Sequence, residues 1–409
     1  MQKIDSVCGT NQFNYDPIGR ITGQTDPERK YRSYLYDPAG DLLKTEVRSE
    51  DEVWSRAGEY EGVRYTFDRV GNLVERAGNQ DKTEFVWDAN GRLVESVSDG
   101  KKTSYQYDPL GRRISKETDG VVTRFYWDGD ALLGDVTGDD IREWVYYPGS
   151  FEPLAMLVTD TTCKDNEASE RIYYYANDPN GCPTRLLDET GKVVWAALYD
   201  AWGKVKKLPA NEVDQPLRLQ GQYFDAETGL HYNRFRYYCP KIGSFISQDP
   251  LGLVPGENVY EFGPNAQGWI DPLGLACYRV VNGTKIYGRG QKTGPGHAQL
   301  SEILANKLAM TGKFKEVHLN RSYEAVTGTR TTPRRSPDLI AVDHNGRIHS
   351  IEIASRSDMS PQKYQNLVSR NQISQQQLPT VNRGRIVVVD HPYSASSTKT
   401  TIDNWLSTI

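Results

Sequence analysis

Residues 103–115 have the sequence TSYQYDPLGRRIS, which joins an alternating segment, a tight turn and the start of a second segment. Before the turn, β-branched and aromatic residues alternate with polar ones, a period of two that is typical of a half-buried β-strand. Asp108, Pro109 and Gly111 occupy the first, second and fourth turn positions, where a type I turn prefers these residues. The stretch predicts an antiparallel hairpin, and a single hairpin is marginally stable in water.

The aromatic-Asp pair that opens this turn returns along the first third of the chain. Its aromatic positions are Tyr15, Tyr36, Phe67, Trp87, Tyr107 and Trp127. Their spacings are 21, 31, 20, 20 and 20 residues. A period of this size indicates one small unit stacked on copies of itself, so we expect a long, curling antiparallel sheet. The motif does not occur after residue 275.

The charge of the chain changes sign at Leu275. Residues 276–409 contain 18 Lys and Arg against 9 Asp and Glu, a net charge of +9, whereas residues 1–275 contain 31 against 45, a net charge of -14. This asymmetry favours an acidic scaffold joined to a basic unit that binds nucleic acid.

Cysteine usage and hydropathy exclude several other classes of protein. The five Cys form no CxxC pair, so we expect free thiols. No run of 18 apolar residues predicts a membrane span, and the N-terminus lacks the apolar segment of a signal peptide. Because the chain starts almost inside a repeat, we expect it to be the C-terminal part of a longer one.

The repeats of residues 10–275 resemble the YD repeats of Rhs proteins. In that family the repeats form a shell around a C-terminal toxin. The resemblance implies a mainly β fold with repeats over 1–220, too few for a whole shell, and the conserved end of the core over 221–275. A C-terminal unit would then occupy 276–409. The alternative is a repetitive surface adhesin.

A duplicated pentapeptide marks the junction. The sequence DPLGL occurs at 249–253 and 271–275, downstream of GQYFDAETGLHYNRFRYY at 221–238. This block resembles the end of the Rhs core, which in that family is a self-cleaving aspartyl protease.

The resemblance to the Rhs core implies cleavage after Leu275, with Asp249 and Asp271 as the carboxylate pair and Arg236 as the supporting cation. Two close carboxylates cannot both ionise, so one holds a proton while the other activates water. The spacing of the two pentapeptides alone favours two turn formers, and the resemblance to the Rhs core favours the protease.

The basic segment predicts a small α/β domain with the element order αβββαβ. The expected elements are a helix over 296–308, strands over 315–320, 337–343 and 348–354, a helix from about 360, and a strand over 385–390. Asn345-Gly346 between the second and third strands is a strong hairpin signal.

This order, with Asp338 opening one strand and Glu352 on the next, resembles the restriction-endonuclease-like PD-(D/E)xK nuclease fold. The resemblance implies that both carboxylates are catalytic and bind Mg²⁺ or another divalent cation. Glu302 lies where many members of the fold place a further acid. At the position of the family lysine the chain has Ala354, so Lys363 is the candidate for a migrated lysine.

Other residues of the segment have open roles. Arg356 is the alternative to Lys363, and Ser355 and Gln365 are weaker candidates for polar contacts. His297 would contact phosphate, act as a base, or simply precede the helix. Three further histidines, His318, His344 and His349, lack the tight spacing of a zinc site.

A loop with three arginines completes the predicted nucleic-acid interface. Arg330, Arg334 and Arg335 would contact the nucleic-acid backbone.

The sequence thus predicts an Rhs-type contact-dependent toxin whose C-terminal nuclease acts on DNA rather than RNA. The resemblance implies export by an apparatus such as type VI, without a signal peptide. It also implies action in the target-cell cytoplasm and a cognate immunity protein in the producer. The alternatives are a non-enzymatic surface or adhesion protein with a basic binding module, and an inactive remnant.

Overall fold

The computed structural model describes residues 2–5, 9–16, 19–36, 40–42, 44–50, 53–160, 169–252, 258–288, 297–354, 361–389 and 395–408. The chain forms two compact units, Met1–Cys277 and Tyr278–Ile409.

The first unit is built from antiparallel strands. A four-stranded sheet contains β1 (Gln2–Asp5), β2 (Gly9–Tyr15), β3 (Ile21–Thr25) and β4 (Tyr31–Ser33). Among the described residues, a second sheet contains sixteen strands, each paired with the next in chain order: β5 (Lys44–Glu50), β6 (Val53–Tyr60), β7 (Val63–Phe67), β8 (Leu73–Ala77), β9 (Lys82–Trp87), β10 (Leu93–Ser98), β11 (Lys101–Tyr107), β12 (Arg113–Thr118), β13 (Val121–Asp128), β14 (Ala131–Thr137), β15 (Asp140–Tyr146), β16 (Pro153–Asp160), β17 (Ser169–Asn177), β18 (Pro183–Leu187), β19 (Val193–Tyr199) and β20 (Val205–Asn211). A third sheet contains β21 (Tyr223–Asp225), β22 (Leu230–Asn233), β23 (Arg236–Cys239) and β24 (Ser244–Phe245). The predicted mainly β fold is confirmed.

The turn aspartate organises each repeat. Asp108 Oδ1 accepts hydrogen bonds from the amides of Leu110 and Arg112, both at 2.9 Å, and its Oδ2 accepts one from Arg112 Nε at 2.7 Å. Gly111 closes the turn at φ +77°, a left-handed conformation that glycine adopts without strain. The same pair of amide contacts recurs at Asp68, Asp88, Asp178, Asp188 and Asp200.

Three of these turns lie beyond the last repeat that the sequence pattern identified. At Asp178 and Asp188 the preceding residues are Asn177 and Leu187. The turn therefore requires the aspartate and the positive-φ glycine, whereas the aromatic residue before it is dispensable.

Where the aromatic residue is present, its polar tip links one repeat to the one before. Trp87 Nε1 donates to the Leu73 carbonyl at 2.7 Å, and Tyr107 Oη donates to the Leu93 carbonyl at 2.7 Å. Each acceptor lies 14 residues earlier, directly after the preceding turn. The strand pairing shifts register at these acceptors, as it does in a β-bulge.

The third sheet supplies the core against which the repeats pack. Its aromatic residues lie in three apolar clusters: Tyr232 and Tyr237 with β7–β11, Tyr238 and Phe245 with β2 and β3, and Tyr223 with β13–β19. A buried ion pair accompanies these clusters. Arg113, fully buried, contacts Asp225 Oδ2 at 2.5 Å and Oδ1 at 3.0 Å.

The Arg113 guanidinium lies among five aromatic rings. Its distances to the ring centroids run from 4.4 to 6.0 Å, and the rings are those of Tyr105, Phe125, Tyr223, Tyr232 and Tyr237. Lys116 adds a second cation, 3.0 Å from Asp225. Stacked rings and paired carboxylates make the burial of these charges tolerable.

Within its described residues, the second unit is a six-stranded mixed sheet with helices. Its elements are β25 (Tyr278–Val281), β26 (Thr284–Tyr287), α1 (His297–Met310), β27 (Phe314–Leu319), α2 (Tyr323–Thr327), β28 (Leu339–Asp343), β29 (Ile348–Ile353), α3 (Pro361–Gln376), a short 3-10 helix (Thr380–Asn382), β30 (Arg383–Val389) and α4 (Ala395–Leu406). The strands lie in chain order, with β26–β27 and β29–β30 parallel and the other pairs antiparallel. The predicted αβββαβ series is present, whereas β25, β26, α2 and α4 were not predicted from the sequence.

The cysteines and the helices were also the subject of predictions from the sequence. Among the described cysteines, Cys182, Cys239 and Cys277 form no disulfide, as expected, whereas Cys8 and Cys163 lie outside the described residues. Within the part of the chain that the structure describes, no helix is long and apolar enough to cross a membrane.

The Arg113–Asp225 pair yields a stability prediction. Arg113→Ala leaves the Asp225 carboxylate buried with only Lys116, so we expect the free energy of unfolding of the first unit to fall by about 3–5 kcal/mol. Urea unfolding of the full chain measures this loss. Arg124→Ala, on the exposed face of β13, is the control and should change little. Equal effects of the two substitutions would contradict a structural role for the buried pair.

Candidate functional site

The predicted junction residues Arg236, Asp249 and Asp271 lie together in the first unit. Arg236 begins β23, and the two aspartates begin the turns of the duplicated pentapeptide. Arg236 Nη2 lies 2.8 Å from Asp249 Oδ2 and 3.6 Å from Asp271 Oδ2. All three side chains are buried, so the cation and the carboxylates interact with little screening by water.

Arg236 is fixed by contacts other than the carboxylates. Its Nη1 donates to the Val259 carbonyl at 3.0 Å, and its Nε donates to the Gly274 carbonyl. The guanidinium carbon lies 3.6 Å from the centroid of the Phe245 ring. This arginine therefore connects the turn before the predicted cleavage position with the core of the unit.

Asp271 contacts the predicted scissile peptide itself. Its Oδ1 accepts hydrogen bonds from the amides of Leu275 at 3.0 Å and Ala276 at 3.2 Å. Burial raises the pKa of Asp271 to about 6, while Arg236 and the two amides act in the opposite direction. Asp271 thus holds a proton under mildly acidic conditions next to the nitrogen that cleavage would release.

The backbone of the second pentapeptide is tightly enclosed. Asn233 Nδ2 donates to the Asp271 carbonyl at 2.7 Å, and the Phe235 amide donates to the Leu273 carbonyl at 3.1 Å. A Cβ on Gly274, whose φ is +69°, would lie 2.8 Å from the Asn233 carbonyl oxygen. The turn requires glycine at this position, and β22 holds the segment in place.

In the second unit, the predicted catalytic pair Asp338 and Glu352 also lies together. Asp338 precedes β28 and Glu352 lies within β29, and the Asp338 carboxylate acts electrostatically on Glu352. Asp338 Oδ2 accepts a hydrogen bond from the Ile353 amide at 2.7 Å. Burial raises the pKa of Glu352 to about 7, and the neighbouring Asp338 carboxylate adds to the rise.

His297 joins this pair from the start of α1. Its Nε2 lies 3.6 Å from Asp338 Oδ1, and its Nδ1 is buried with no hydrogen-bond partner among the described residues. The histidine therefore reaches the carboxylates from a separate element.

Two residues that sequence reasoning missed hold Glu352. Asn371, fully buried on α3, donates from Nδ2 to Glu352 Oε1 at 2.6 Å and accepts at Oδ1 from Tyr323 Oη at 3.0 Å. Tyr323 is itself fully buried in α2. No sequence spacing marks this contact because the two residues are 48 positions apart.

The other positions predicted for catalysis lie on α1, directly after β29 and on α3. The Glu302 carboxylate is 2.7 Å from Arg279 Nη2 on β25. Ala354 is fully buried, and Lys363 is exposed in the first turn of α3. Gln365 is also exposed on α3, whereas Ser355 and Arg356 lie outside the described residues.

The predicted arginine loop is partly solvent-exposed. Arg330 and Arg334 are exposed, and Arg334 Nε lies 3.9 Å from the Glu324 carboxylate. Arg335 is half-buried and acts on Glu352 electrostatically, favouring its charged form. Arg335 is therefore the arginine of this loop that interacts with Glu352.

The donor set at Asp338 and Glu352 fits a hard divalent cation. Two close carboxylates oppose each other's ionisation, and a cation between them removes that opposition. Mg²⁺ is commonly bound by one or two carboxylates together with waters and substrate phosphate. Within the described residues, no group of three or more His, Cys, Asp and Glu side chains is arranged to hold a metal ion.

Comparison with known proteins agrees with the repeat architecture. The family model described as the teneurin YD-shell matches residues 4–254.

Curated relatives share parts of the chain. Over 306 residues the chain is 37% identical to double-stranded DNA deaminase toxin A of Burkholderia cenocepacia, covering 68% of this chain and 21% of the relative. It is 36% identical over 183 residues to toxin protein Tse5 of Pseudomonas aeruginosa, covering 38% and 14%. It is 34% identical over 166 residues to the probable deoxyribonuclease RhsA of Dickeya dadantii, covering 38% and 11%.

The chain spans about a fifth or less of the length of these relatives. Their names describe different activities, a deaminase and a deoxyribonuclease among them. The activity of residues 278–409 must therefore be argued from the side chains of that unit.

The carboxylate pair predicts how stability depends on pH without metal. The folded pKa of Glu352, about 7, exceeds its ordinary value of 4.5, so the folded state keeps a proton that the unfolded chain releases. The free energy of unfolding of the second unit should therefore fall as pH rises from about 4.5 to about 7. Glu352→Gln should weaken that fall.

Urea denaturation of the full chain in EDTA, repeated across this pH range, measures the effect. Glu324→Gln, on the surface of α2, is the matched control. A slope in Glu352→Gln equal to that of the parent would show that Glu352 does not carry the raised pKa.

Proposed function

The chain belongs to the YD-shell family, and we propose that its repeat unit carries a C-terminal nuclease unit and releases it by self-cleavage. The observation that carries the nuclease proposal is the Asp338–Glu352 pair, whose Glu352 is buried and whose Asp338 is contacted by His297 from α1. The basic charge of residues 276–409 supports a polyanionic substrate.

Release would occur by hydrolysis of the Leu275–Ala276 peptide bond. Asp249, stabilised as a carboxylate by Arg236, accepts a proton from a water molecule that attacks the Leu275 carbonyl carbon. Asp271, protonated below about pH 6, donates its proton to the departing Ala276 nitrogen, 3.2 Å from Oδ1. The products are a new carboxyl terminus at Leu275 and a new amine at Ala276.

The released unit would hydrolyse phosphodiester bonds. A divalent cation held by Asp338 and Glu352 would polarise the scissile phosphate and lower the pKa of the attacking water. His297 lies with its Nε2 3.6 Å from Asp338 Oδ1 and is placed to hold a proton or contact a phosphate oxygen. Asn371 donates a hydrogen bond to Glu352 Oε1, and Tyr323 holds Asn371 in place. Together they fix the orientation of the Glu352 carboxylate next to Asp338.

The cation that the PD-(D/E)xK pattern places at position 354 would come from another element. Lys363 is exposed on α3, and Arg335 interacts electrostatically with Glu352. Arg335 is the stronger of these two because it already interacts electrostatically with Glu352, whereas Lys363 is exposed to solvent.

Substrate, delivery and partners follow from the same proposal. The target is DNA in the cytoplasm of a competing bacterium, in keeping with the names of the deoxyribonuclease and toxin relatives. An apparatus such as type VI would deliver the protein. An acidic immunity protein would protect the producer by covering the basic unit.

Asp271→Asn tests the release step. The amide still accepts hydrogen bonds from the Leu275 and Ala276 backbone, so the turn is kept while the transferable proton is lost. We expect the parent chain to separate into two fragments on a denaturing gel and the variant to stay a single 409-residue band.

Sequencing the amino terminus of the smaller fragment should begin at Ala276. Asp188→Asn, in an exposed repeat turn of the same type, is the control and should cleave normally. Cleavage of Asp271→Asn at the parental rate would remove Asp271 from the mechanism.

Plasmid cleavage tests the nuclease. The full chain should nick or linearise plasmid DNA in Mg²⁺ and stop in EDTA. Asp338→Ala combined with Glu352→Ala should lower the rate about 100-fold or more, because metal-ion catalysis contributes several kcal/mol. Asp403→Ala, which removes a surface ion pair with Lys307, should retain the parental rate.

Failure to cleave both DNA and RNA would favour the non-enzymatic binding module. Separate Arg335→Ala, Lys363→Ala and Arg356→Ala variants assign the cation. The substitution that abolishes turnover without weakening DNA binding in EDTA identifies it.

A further inference from the structure

A cavity of about 280 Å³ lies in the first unit, away from the residues of the proposed cleavage site. Its wall joins segments that are far apart in the chain: β8, the start of β20, the segment between β20 and β21, and the third sheet. Binding sites for small molecules have volumes from about 300 Å³ upward, so this cavity is large enough for a small ligand.

The wall of the cavity is rich in positive charge. Four of its residues are cations, namely Arg76, Lys204, Arg218 and Lys241. Asp81 is the single acidic residue among the described lining residues, so four positive charges and one negative charge leave a net charge of +3. In the part of the chain that the structure describes, none of the four cations forms an ion pair with a carboxylate.

Other basic residues of the same unit do have carboxylate partners. Lys82, Lys192 and Lys206 lie 2.6 to 3.0 Å from carboxylate oxygens. Carboxylates are in excess in this unit, because residues 1–275 carry a net charge of -14. The four cations therefore stay unpaired where acidic residues are plentiful. Like charges around one cavity repel each other, and a bound anion would replace that repulsion with attraction.

Arg218 is the buried cation of the set, with a side chain that is 7% exposed. Its Nη1 donates to the carbonyls of Gln215 and Leu217, both at 2.8 Å, and its guanidinium carbon lies 4.5 Å from the centroid of the Phe224 ring. Its Nε is buried with no hydrogen-bond partner among the described residues. A buried donor that stays unpaired costs free energy, which an oxyanion in the cavity would offset.

The remaining cations differ in how firmly they are held. Arg76 Nη2 donates to the Thr228 carbonyl at 2.8 Å and to Thr83 Oγ1 at 3.1 Å, which fixes its guanidinium between β8 and the third sheet. Lys204 is exposed and Lys241 is half-buried. The cavity thus has two fixed guanidinium groups and two lysines nearer to solvent.

His231, which also lines the cavity, adds no positive charge. Burial lowers the pKa of His231 well below its usual range, and the Arg218 charge acts in the same direction. The imidazole is therefore neutral, and the charge of the cavity comes from lysine and arginine.

We propose that this cavity binds a small polyvalent anion, a phosphate or carboxylate compound, with the four cations as its ligands. Arginine presents a planar fork of donors that matches either kind of oxyanion, and lysine adds mobile positive charge. The proposal does not depend on the nuclease or on self-cleavage. Because the lining residues come from distant segments, the anion binds the folded unit and stabilises it against unfolding.

Isothermal titration calorimetry of the full chain tests the proposal. The titrants are pyrophosphate, citrate and inorganic phosphate, in a buffer without metal ions and without EDTA, which is itself a polycarboxylate. Pyrophosphate or citrate should bind more tightly than inorganic phosphate, because each carries more negative charge. Tighter binding of pyrophosphate would identify a phosphate ligand, and tighter binding of citrate a carboxylate ligand. Binding of neither would overturn the proposal.

Matched substitutions separate this cavity from general charge effects. Lys204→Gln plus Lys241→Gln removes two charges and leaves both guanidinium groups in place. It should weaken the affinity about 5- to 30-fold, because partly exposed charge pairs each contribute modestly. Lys206→Gln plus Lys207→Gln, on β20 and outside the lining, removes the same charge and should bind like the parent. Equal weakening in the two variants would overturn the proposal.

Hydrogen exchange with mass spectrometry locates the anion without any substitution. Pyrophosphate should slow the exchange of backbone amides within residues 215–243, which contain Arg218 and Lys241. Slower exchange confined to residues 278–409 would place the anion on the basic second unit and refute the cavity as its site. The lining residues all lie between positions 76 and 241, so the result is the same whether or not the chain is cut after Leu275.

Discussion

The turn aspartate is the constraint on which the first unit depends. Its side chain accepts two backbone amides two and four residues ahead, so the chain reverses without leaving those donors unsatisfied. Each reversal starts a new strand beside the last, and the sheet grows one hairpin at a time. The aromatic residue before the turn then bonds back to the previous repeat at a bulge, which fixes the spacing between successive units. These hydrogen bonds join residues at most 14 positions apart, so they can form without a distant segment of the chain.

The two pentapeptides reuse that turn for a different purpose. Asp271 still accepts the amide four residues ahead, as Asp108 does, but its second oxygen faces the buried Arg236 in place of a surface arginine. Burial changes the chemistry, since the carboxyl now keeps its proton to about pH 6. The structural and catalytic interpretations of the pentapeptide are therefore compatible. One side chain both shapes the turn and contacts the peptide that we propose is cut.

The sequence pattern predicted the features that depend on residues close together in the chain, such as turns and the order of helices and strands. It did not predict contacts between residues that are far apart in the chain. The hairpin at 103–115 and the αβββαβ order follow from periodicity and turn residues. Asn371 could not be predicted because no neighbouring residue in the chain indicates its contact with Glu352. The same holds for the contact of Arg113 with Asp225, which are 112 residues apart. Glu302 was expected near the carboxylates, and its pairing with Arg279 could not be foreseen because β25 was itself unpredicted. Asp178 escaped notice because its turn lacks an aromatic partner.

The contrast between local hairpins and the distant third sheet has a consequence for synthesis. Repeats join through contacts 14 residues apart, so they can assemble as the chain leaves the ribosome. Their apolar face packs on residues 223–245, and Gly19 bonds to Asn265 across 246 positions. The apolar face of the early strands therefore stays exposed to solvent until the last part of the unit has been synthesised. Arg236, which contacts both aspartates of the proposed cleavage site, lies in the region that completes the core, so the site can form only after the strands that it depends on exist.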